Sequence, residues 1–254
     1  PEDGGAYTLM HLTGDMVALV ESLGERQAVI VGHDWGAPVA WHAALFRPDI
    51  FRAVVGMSVP YRPRGPAPPL ATLRAAGMHR FYWLYFEEPG VAEAEFERDV
   101  AETMRRILAT PGFAVKPRNA DEILVLPETG GFLDLMKPAE TLPEWLGEEE
   151  LAVMVREYRR TGFRGGLNYY RNIDRNWELT APWQGAPITA PALFIAGAGA
   201  AVITGFGRGA LAKLPESVPG LRGTLILEGA GHWIQQERAE EVNAALLEFL
   251  RGLG

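Results

Sequence analysis

Apolar residues follow two different periods along this chain. Between Thr8 and Leu23 they fall at Leu9, Leu12, Met16, Leu19, Val20 and Leu23, the spacing of a helix with one buried face, and Gly24 follows as a C-terminal stop. Ala28-Val29-Ile30-Val31 is instead an unbroken apolar run, the mark of a strand covered on both sides. A helix over Pro38–Phe46 and a strand over Ala53–Met57 come next. The alternation resumes late, with a strand at Ala192–Ala196, a helix near Gly209–Leu214, a strand at Thr224–Leu227 and a helix over Ala239–Leu250. Near-continuous apolar strands separated by helices predict an α/β fold, a mostly parallel sheet with helices on both faces.

Tyr61 to Pro69 is dominated by proline and arginine and marks a boundary. From about residue 70 to 178 the chain is helix-rich and carries most of the aromatics. The expected organisation is a first part of the core over 1–60, an inserted helical cap over 61–178 and the second part of the core over 179–254. Leu179 to Gly207 has no charge and the length of a membrane span, but Pro182, Pro187, Pro191 and repeated glycines argue against a spanning helix. It reads as a loop, a buried strand and a glycine-rich turn. A strand as apolar as Ala28–Val31 needs neighbours on both sides, and the other strands supply one. The chain is therefore expected to begin within the domain, or another segment to complete the sheet.

Composition narrows the function classes. At 254 residues, with 48% hydrophobic and 22% charged positions, this is an ordinary globular chain. Its net charge of -8 and lack of a Lys/Arg cluster speak against nucleic acid and anionic membranes as partners. No cysteine is present, which excludes disulfides and thiolate metal sites. With no signal-like segment at Pro1-Glu2-Asp3-Gly4-Gly5, a cytoplasmic location is the expectation. Oligomeric state leaves no trace in the sequence.

Gly32-His33-Asp34-Trp35-Gly36 joins the first strand to the following helix, the layout of a nucleophile elbow. The flanking glycines are expected to permit a turn too tight for a Cβ, with the central side chain thrust above the sheet. That side chain is a carboxylate. It is ionised at neutral pH and needs no activation. As a weak nucleophile it suits a strained or well-activated carbon, such as an epoxide or an alkyl halide, and displacement leaves an ester on the protein. Hydrolysing that ester requires a base. His232, in Glu228-Gly229-Ala230-Gly231-His232-Trp233 after the Thr224–Leu227 strand, sits at the carboxyl edge where such sites collect. His11, His42 and His79 read as surface or packing residues, and His33 as a structural part of the elbow.

With Tyr82-Trp83-Leu84-Tyr85-Phe86-Glu87-Glu88-Pro89-Gly90 and Gly162-Phe163-Arg164-Gly165-Gly166-Leu167-Asn168-Tyr169-Tyr170-Arg171-Asn172 added to the elbow and to Gly231-His232-Trp233, the chain resembles the epoxide hydrolases of the α/β-hydrolase fold, the soluble type, over essentially its whole length. The resemblance implies that Tyr82 and Tyr170 are lid tyrosines that bind the epoxide oxygen, a role suited to phenol donors. Tyr85 and Tyr169 are the neighbours most easily confused with them. It further implies that Trp35, Phe86 and Trp233 line an apolar pocket and that the Trp35 N–H is half of an oxyanion hole. The implied substrate is a small apolar epoxide, with neither cofactor nor metal.

Two departures from the family pattern stand out. Its His-Gly-x-Pro motif, the other half of the oxyanion hole, is absent, as are the strands around it. The family also places an aspartate soon after the strand matching Ala192–Ala196 to orient the histidine; here Gly197-Ala198-Gly199-Ala200-Ala201-Val202 puts Ala200 at that position. In serine proteases, disabling the equivalent acid lowers turnover by about four orders of magnitude. The expectation is an epoxide hydrolase of impaired turnover. A haloalkane dehalogenase-like hydrolase, which shares the Asp-Trp elbow, and an inactive, single-turnover or fragmentary homologue are the alternatives.

Overall fold

A computed structural model describes residues 1, 3–110, 124–136, 140–205 and 207–254. Four strands, β1 Ala28–His33, β2 Phe51–Met57, β3 Ala192–Gly197 and β4 Leu221–Leu227, form one parallel sheet in the order β1-β2-β3-β4. Each reaches beyond its apolar run, because pairing rather than hydropathy sets the ends. Gly32 and His33, for example, still pair with Gly56 and Met57.

Side chains alternate across the sheet with the period of two that a pleated strand imposes. Val54 and Phe194 join one apolar layer beneath helices α1 Leu9–Ser22 and α2 Gly36–Phe46. Ala53, Val55, Leu193 and Ile195 join the opposite layer under α14 Ala239–Arg251. The helix ends match their sequence signals. Thr8 caps α1 by accepting from the His11 N–H, and Gly24 stops it in the left-handed region at φ 75°. Trp41 of α2 is fully buried against β2, where a Cβ on Gly56 would lie 2.3 Å from its ring. The edge strand β1 carries Val31 at 45% exposure.

Between β2 and β3 run helices α3 Pro69–Ala75, α4 Tyr82–Glu87, α5 Val91–Phe96, α6 Val100–Ala109, α7 Glu148–Thr161, α8 Arg164–Arg171 and α9 Ile173–Leu179. They gather a separate aromatic-rich core around Phe86, Phe96, Phe132 and Phe163. Part of the expected cap, residues 111–123 and 137–139, lies outside the described residues. Where the chain leaves and rejoins the sheet layer, the Arg64 guanidinium lies 3.7 Å over the Trp177 ring and donates to the Trp177 carbonyl. Trp177 Nε1 in turn donates to the Gly65 carbonyl.

The last third departs from expectation in detail. The supposed glycine-rich turn after β3 contains a short helix, α10 Ala201–Thr204, and the helix near Gly209–Leu214 is two pieces, α11 Arg208–Ala212 and α12 Leu214–Ser217. Pro215 at the start of α12 favours a new first turn over continuation of α11. A further short helix, α13 Ile234–Glu237, precedes α14. Among the described residues no helix is long and apolar enough to cross a membrane.

His42 is the packing residue its place in a helix predicts. Its Nδ1 donates to the Pro38 carbonyl at 2.8 Å, and its ring meets Phe46 and Tyr61. Burial pushes its pKa down from 6.5 to about 4, against the smaller opposing effect of that hydrogen bond. An unfolded chain takes up the proton first as pH falls, so this imidazole costs stability progressively from pH 6.5 towards 4. The thermal midpoint of His42→Phe is expected to fall less steeply over that interval than that of the parent; parallel slopes would exclude the buried imidazole as a source of acid sensitivity.

Candidate active site

β1 ends at His33, α2 begins at Gly36, and Asp34 occupies the turn at φ 52°, a left-handed conformation rare for a residue with a Cβ. Strain of this kind, on the order of 1–3 kcal/mol, persists only where the surroundings enforce it. The enforcement is visible at Gly32, where an added Cβ would lie 1.9 Å from the Gly36 carbonyl oxygen. The two glycines are not equivalent, which corrects the sequence-based expectation. A Cβ at Gly36 would meet nothing within 4 Å, because its side chain position faces open space at the first turn of α2.

The turn aims Asp34 at the loop after β4. His232 is 2% exposed, and its Nε2 lies 3.2 Å from Asp34 Oδ2. Although protein surrounds it, the Asp34 side chain keeps 40% of its surface open to the cavity. Burial pushes the carboxyl pKa up. The hydrogen bond and charge of His232, the His33 ring and the Trp35 N–H together outweigh that push and hold it below the ordinary carboxylate range. Asp34 is therefore an anion at neutral pH that already accepts a bond from the Trp35 main chain.

Above it stand two phenols. Tyr82 opens α4 and Tyr170 lies in the last turn of α8, their rings 5.6 Å apart and edge to face. Trp35 packs edge-on against Tyr170 at 5.1 Å, which ties the elbow to the helical layer. Burial raises both phenol pKa values and the nearby negative charge of Asp34 raises them further, so both stay neutral donors well into the alkaline range. α8 is held in place by the partly buried Arg171–Glu93 ion pair at 2.8 Å and by Asn172, which donates to the Gly4 carbonyl.

Asp34, Trp35, Tyr82, Phe86, Tyr170, His232 and Trp233, all named from sequence, line one cavity of about 270 Å³. Of the confusable pair, Tyr85 turns away to donate to Glu95, whereas Tyr169 also reaches the cavity wall. The sequence reading missed how far the cavity runs into the helical layer, past Phe96, Met104, Leu108, Leu124 and Phe163. The amphipathic face of α6 was the available signal, but it reads equally as core. Ala200 is fully buried at the start of α10, and the adjoining Ala201 and Val202 reach the cavity. A wider cleft of about 690 Å³, lined by Glu97–Val100 and Tyr158–Gly162, shares only Tyr158 with this cavity among the described residues. Among the described residues no cluster of His, Asp and Glu is arranged to hold a metal ion.

Comparison with known proteins is consistent with this geometry. A family model described as alpha/beta hydrolase family matches residues 1–245. Epoxide hydrolase A of Mycobacterium tuberculosis is 47% identical over 257 residues, covering 100% of this chain and 78% of that protein. Epoxide hydrolase 1 of Siraitia grosvenorii is 40% identical, covering 99% and 78%. Among solved structures, epoxide hydrolase A from Mycobacterium thermoresistibile superposes with a TM-score of 0.91 at 48% identity, covering 99% of this chain and 78% of that one. An epoxide hydrolase from an endophytic Streptomyces gives 0.94 at 45%, covering 100% and 76%.

The unequal glycines of the elbow lead to unequal variants. Gly32→Ala forces the strand and α2 apart and is expected to destabilise by about 1–3 kcal/mol or more, as overpacking does. Gly36→Ala should leave the thermal midpoint nearly unchanged or raise it slightly. Equal midpoints for the two variants would contradict the close approach at Gly32.

Proposed function

The chain belongs to the alpha/beta hydrolase family, among its epoxide hydrolases, and we propose that it opens small apolar epoxides to vicinal diols through an ester formed on Asp34. The observation that carries this reading is a single cavity in which an ionised carboxylate faces two neutral phenols and touches an imidazole.

A carboxylate oxygen of Asp34 attacks one epoxide carbon. The C–O bond breaks, and the oxygen leaves as an alkoxide that takes a proton from Tyr82 or Tyr170. The largely apolar and aromatic wall lowers the polarity around the reacting atoms, which strengthens these donors. In the second half, His232 Nε2 removes a proton from water and the resulting hydroxide attacks Cγ of the Asp34 ester. The Trp35 N–H stabilises the tetrahedral oxyanion. Collapse expels the alkyl oxygen, which takes the proton held on His232; the proton left on the new carboxyl group returns to the tyrosinate, and Asp34 is again a carboxylate with one oxygen derived from water. The helices over 61–178 act as the cap that carries the phenols.

The two halves are not equally equipped. Ring opening needs Asp34 and the phenols, all present. Hydrolysis in this family also draws on an acid at the position of Ala200, whose methyl group can neither fix an imidazole tautomer nor stabilise an imidazolium. The ester therefore outlives its formation. Dehalogenation is the weaker reading, because two neutral phenols at the alkoxide position have no task in releasing a halide.

Intact-mass spectrometry after mixing with styrene oxide is expected to show an adduct on Asp34 that persists. Sustained diol formation with no adduct would refute the slow second half, and Asp34→Ala should show no adduct. Ala200→Asp is expected to shorten the adduct lifetime and raise turnover by a factor on the order of tens or more. Tyr82→Phe with Tyr170→Phe should slow adduct formation by about 10²–10⁴ without stabilising the adduct already formed. Halide release from an alkyl bromide exceeding diol formation would favour the dehalogenase reading.

A further inference from the structure

The His232 side chain is held from its main chain by residues with no assigned part in the reaction. Ser58 Oγ donates to the His232 carbonyl at 2.8 Å, and His33 Nε2 is 2.8 Å from the same oxygen. A carbonyl only accepts, so His33 carries its proton on Nε2. The flanking N–H groups are taken as well: Gly231 N donates to Glu237 Oε2 at 2.7 Å and Trp233 N to Oε1 at 2.9 Å. The His33 ring also lies 4.7 Å from the His232 ring, against one face of the base.

Ser58 is an unusual residue to find in this role. It is fully buried and sits at φ 63°, with Val59 N bonded to the Met57 carbonyl across it, a tight turn that a residue with a Cβ rarely adopts. A glycine would fit this backbone with less strain but would lack the hydroxyl. Strained non-glycine residues of this sort concentrate where geometry serves function. Trp41 Nε1 braces the turn from behind by donating to the Val59 carbonyl.

We infer that Ser58 and His33 are positioning residues for the base, clamping the His232 carbonyl so that, with Glu237 on the neighbouring amides, the imidazole stays aimed at the Asp34 ester in a chain whose acid position is Ala200. This rests on the reading of Asp34 as nucleophile and His232 as base. Burial and the neighbouring His232 lower the His33 pKa to about 4, so near neutral pH the ring is the uncharged single-donor form that the clamp uses. A small rotation at Cα is amplified into a larger displacement at Nε2, which is why main-chain anchoring reaches the chemistry.

The test separates the half-reactions with styrene oxide, following growth of the Asp34 adduct by rapid-quench mass spectrometry and its decay after substrate removal. Ser58→Ala and His33→Phe are expected to leave growth within about twofold while slowing decay roughly tenfold to a hundredfold. His33→Gln, which keeps an N–H donor near the same place, should restore decay. In an Ala200→Asp background the Ser58→Ala effect should shrink, because a second anchor then exists. Unchanged decay in both variants overturns the clamp, and so does a parallel loss of growth and decay, the sign of a purely structural role. If Ser58→Ala does not fold, the His33 pair decides. Adduct decay blocked by His232→Gln but insensitive to Ser58 and His33 removes the clamp alone, whereas diol formation undiminished in Asp34→Ala removes the reading beneath it as well.

Discussion

Everything at this site depends on one short loop crossing the sheet. Asp34 leaves β1 and His232 follows β4, strands at opposite edges and three inter-strand spacings apart, roughly 14 Å. Their side chains nevertheless meet at 3.2 Å. The loop after β4 covers that distance by lying across the ends of the strands between. At β3 it passes so closely that a Cβ on Gly197 would stand 2.2 Å from the Gly231 carbonyl oxygen, and Gly199 N donates to Ala230. At β2 it is caught by Ser58, and at β1 by His33. Parallel strands make this possible, since all four carboxyl ends open on one side.

The layers of the fold were largely legible in sequence, because both signals involved are local. Unbroken runs such as Ala53–Met57 have no exposed face to interrupt them, and α1 carries its stripe and both end signals between Thr8 and Gly24. What escaped was non-local or too short to have a period. α10 is a single turn beside a stretch of Gly and Ala, and the break between α11 and α12, which the sequence reads as one helix near Gly209–Leu214, falls in pieces too short to show a period. The different demands on Gly32 and Gly36 were invisible for a similar reason: both are glycine, and only the path of α2 decides which one meets the Gly36 carbonyl.

At the site, residues with distinctive chemistry announced themselves and residues with ordinary chemistry did not. Asp34 between glycines and His232 after a strand could be picked out singly, and Tyr82 and Tyr170 only through a family motif, since aromatic packing predicts the same letters. Ser58 and Glu237 gave no signal. A serine after a strand and a glutamate in a short helix are commonplace, and their meaning comes from a carbonyl and two amides 174, 6 and 4 positions away. The wall contributed by α6 was hidden because a buried Met or Leu looks the same whether it faces a neighbour or a cavity.

The Arg64–Trp177 stack bears on motion. The two stretches of chain that connect the helical layer to the sheet are fastened to each other by a cation over a ring and by bonds running both ways, from the side chain of each to a main-chain carbonyl of the other. Two independent connectors would let the layer hinge about either. Fastened together they restrain that freedom, and with the Trp35–Tyr170 contact and the Asn172–Gly4 bond they hold α8 and its Tyr170 to the elbow from more than one side.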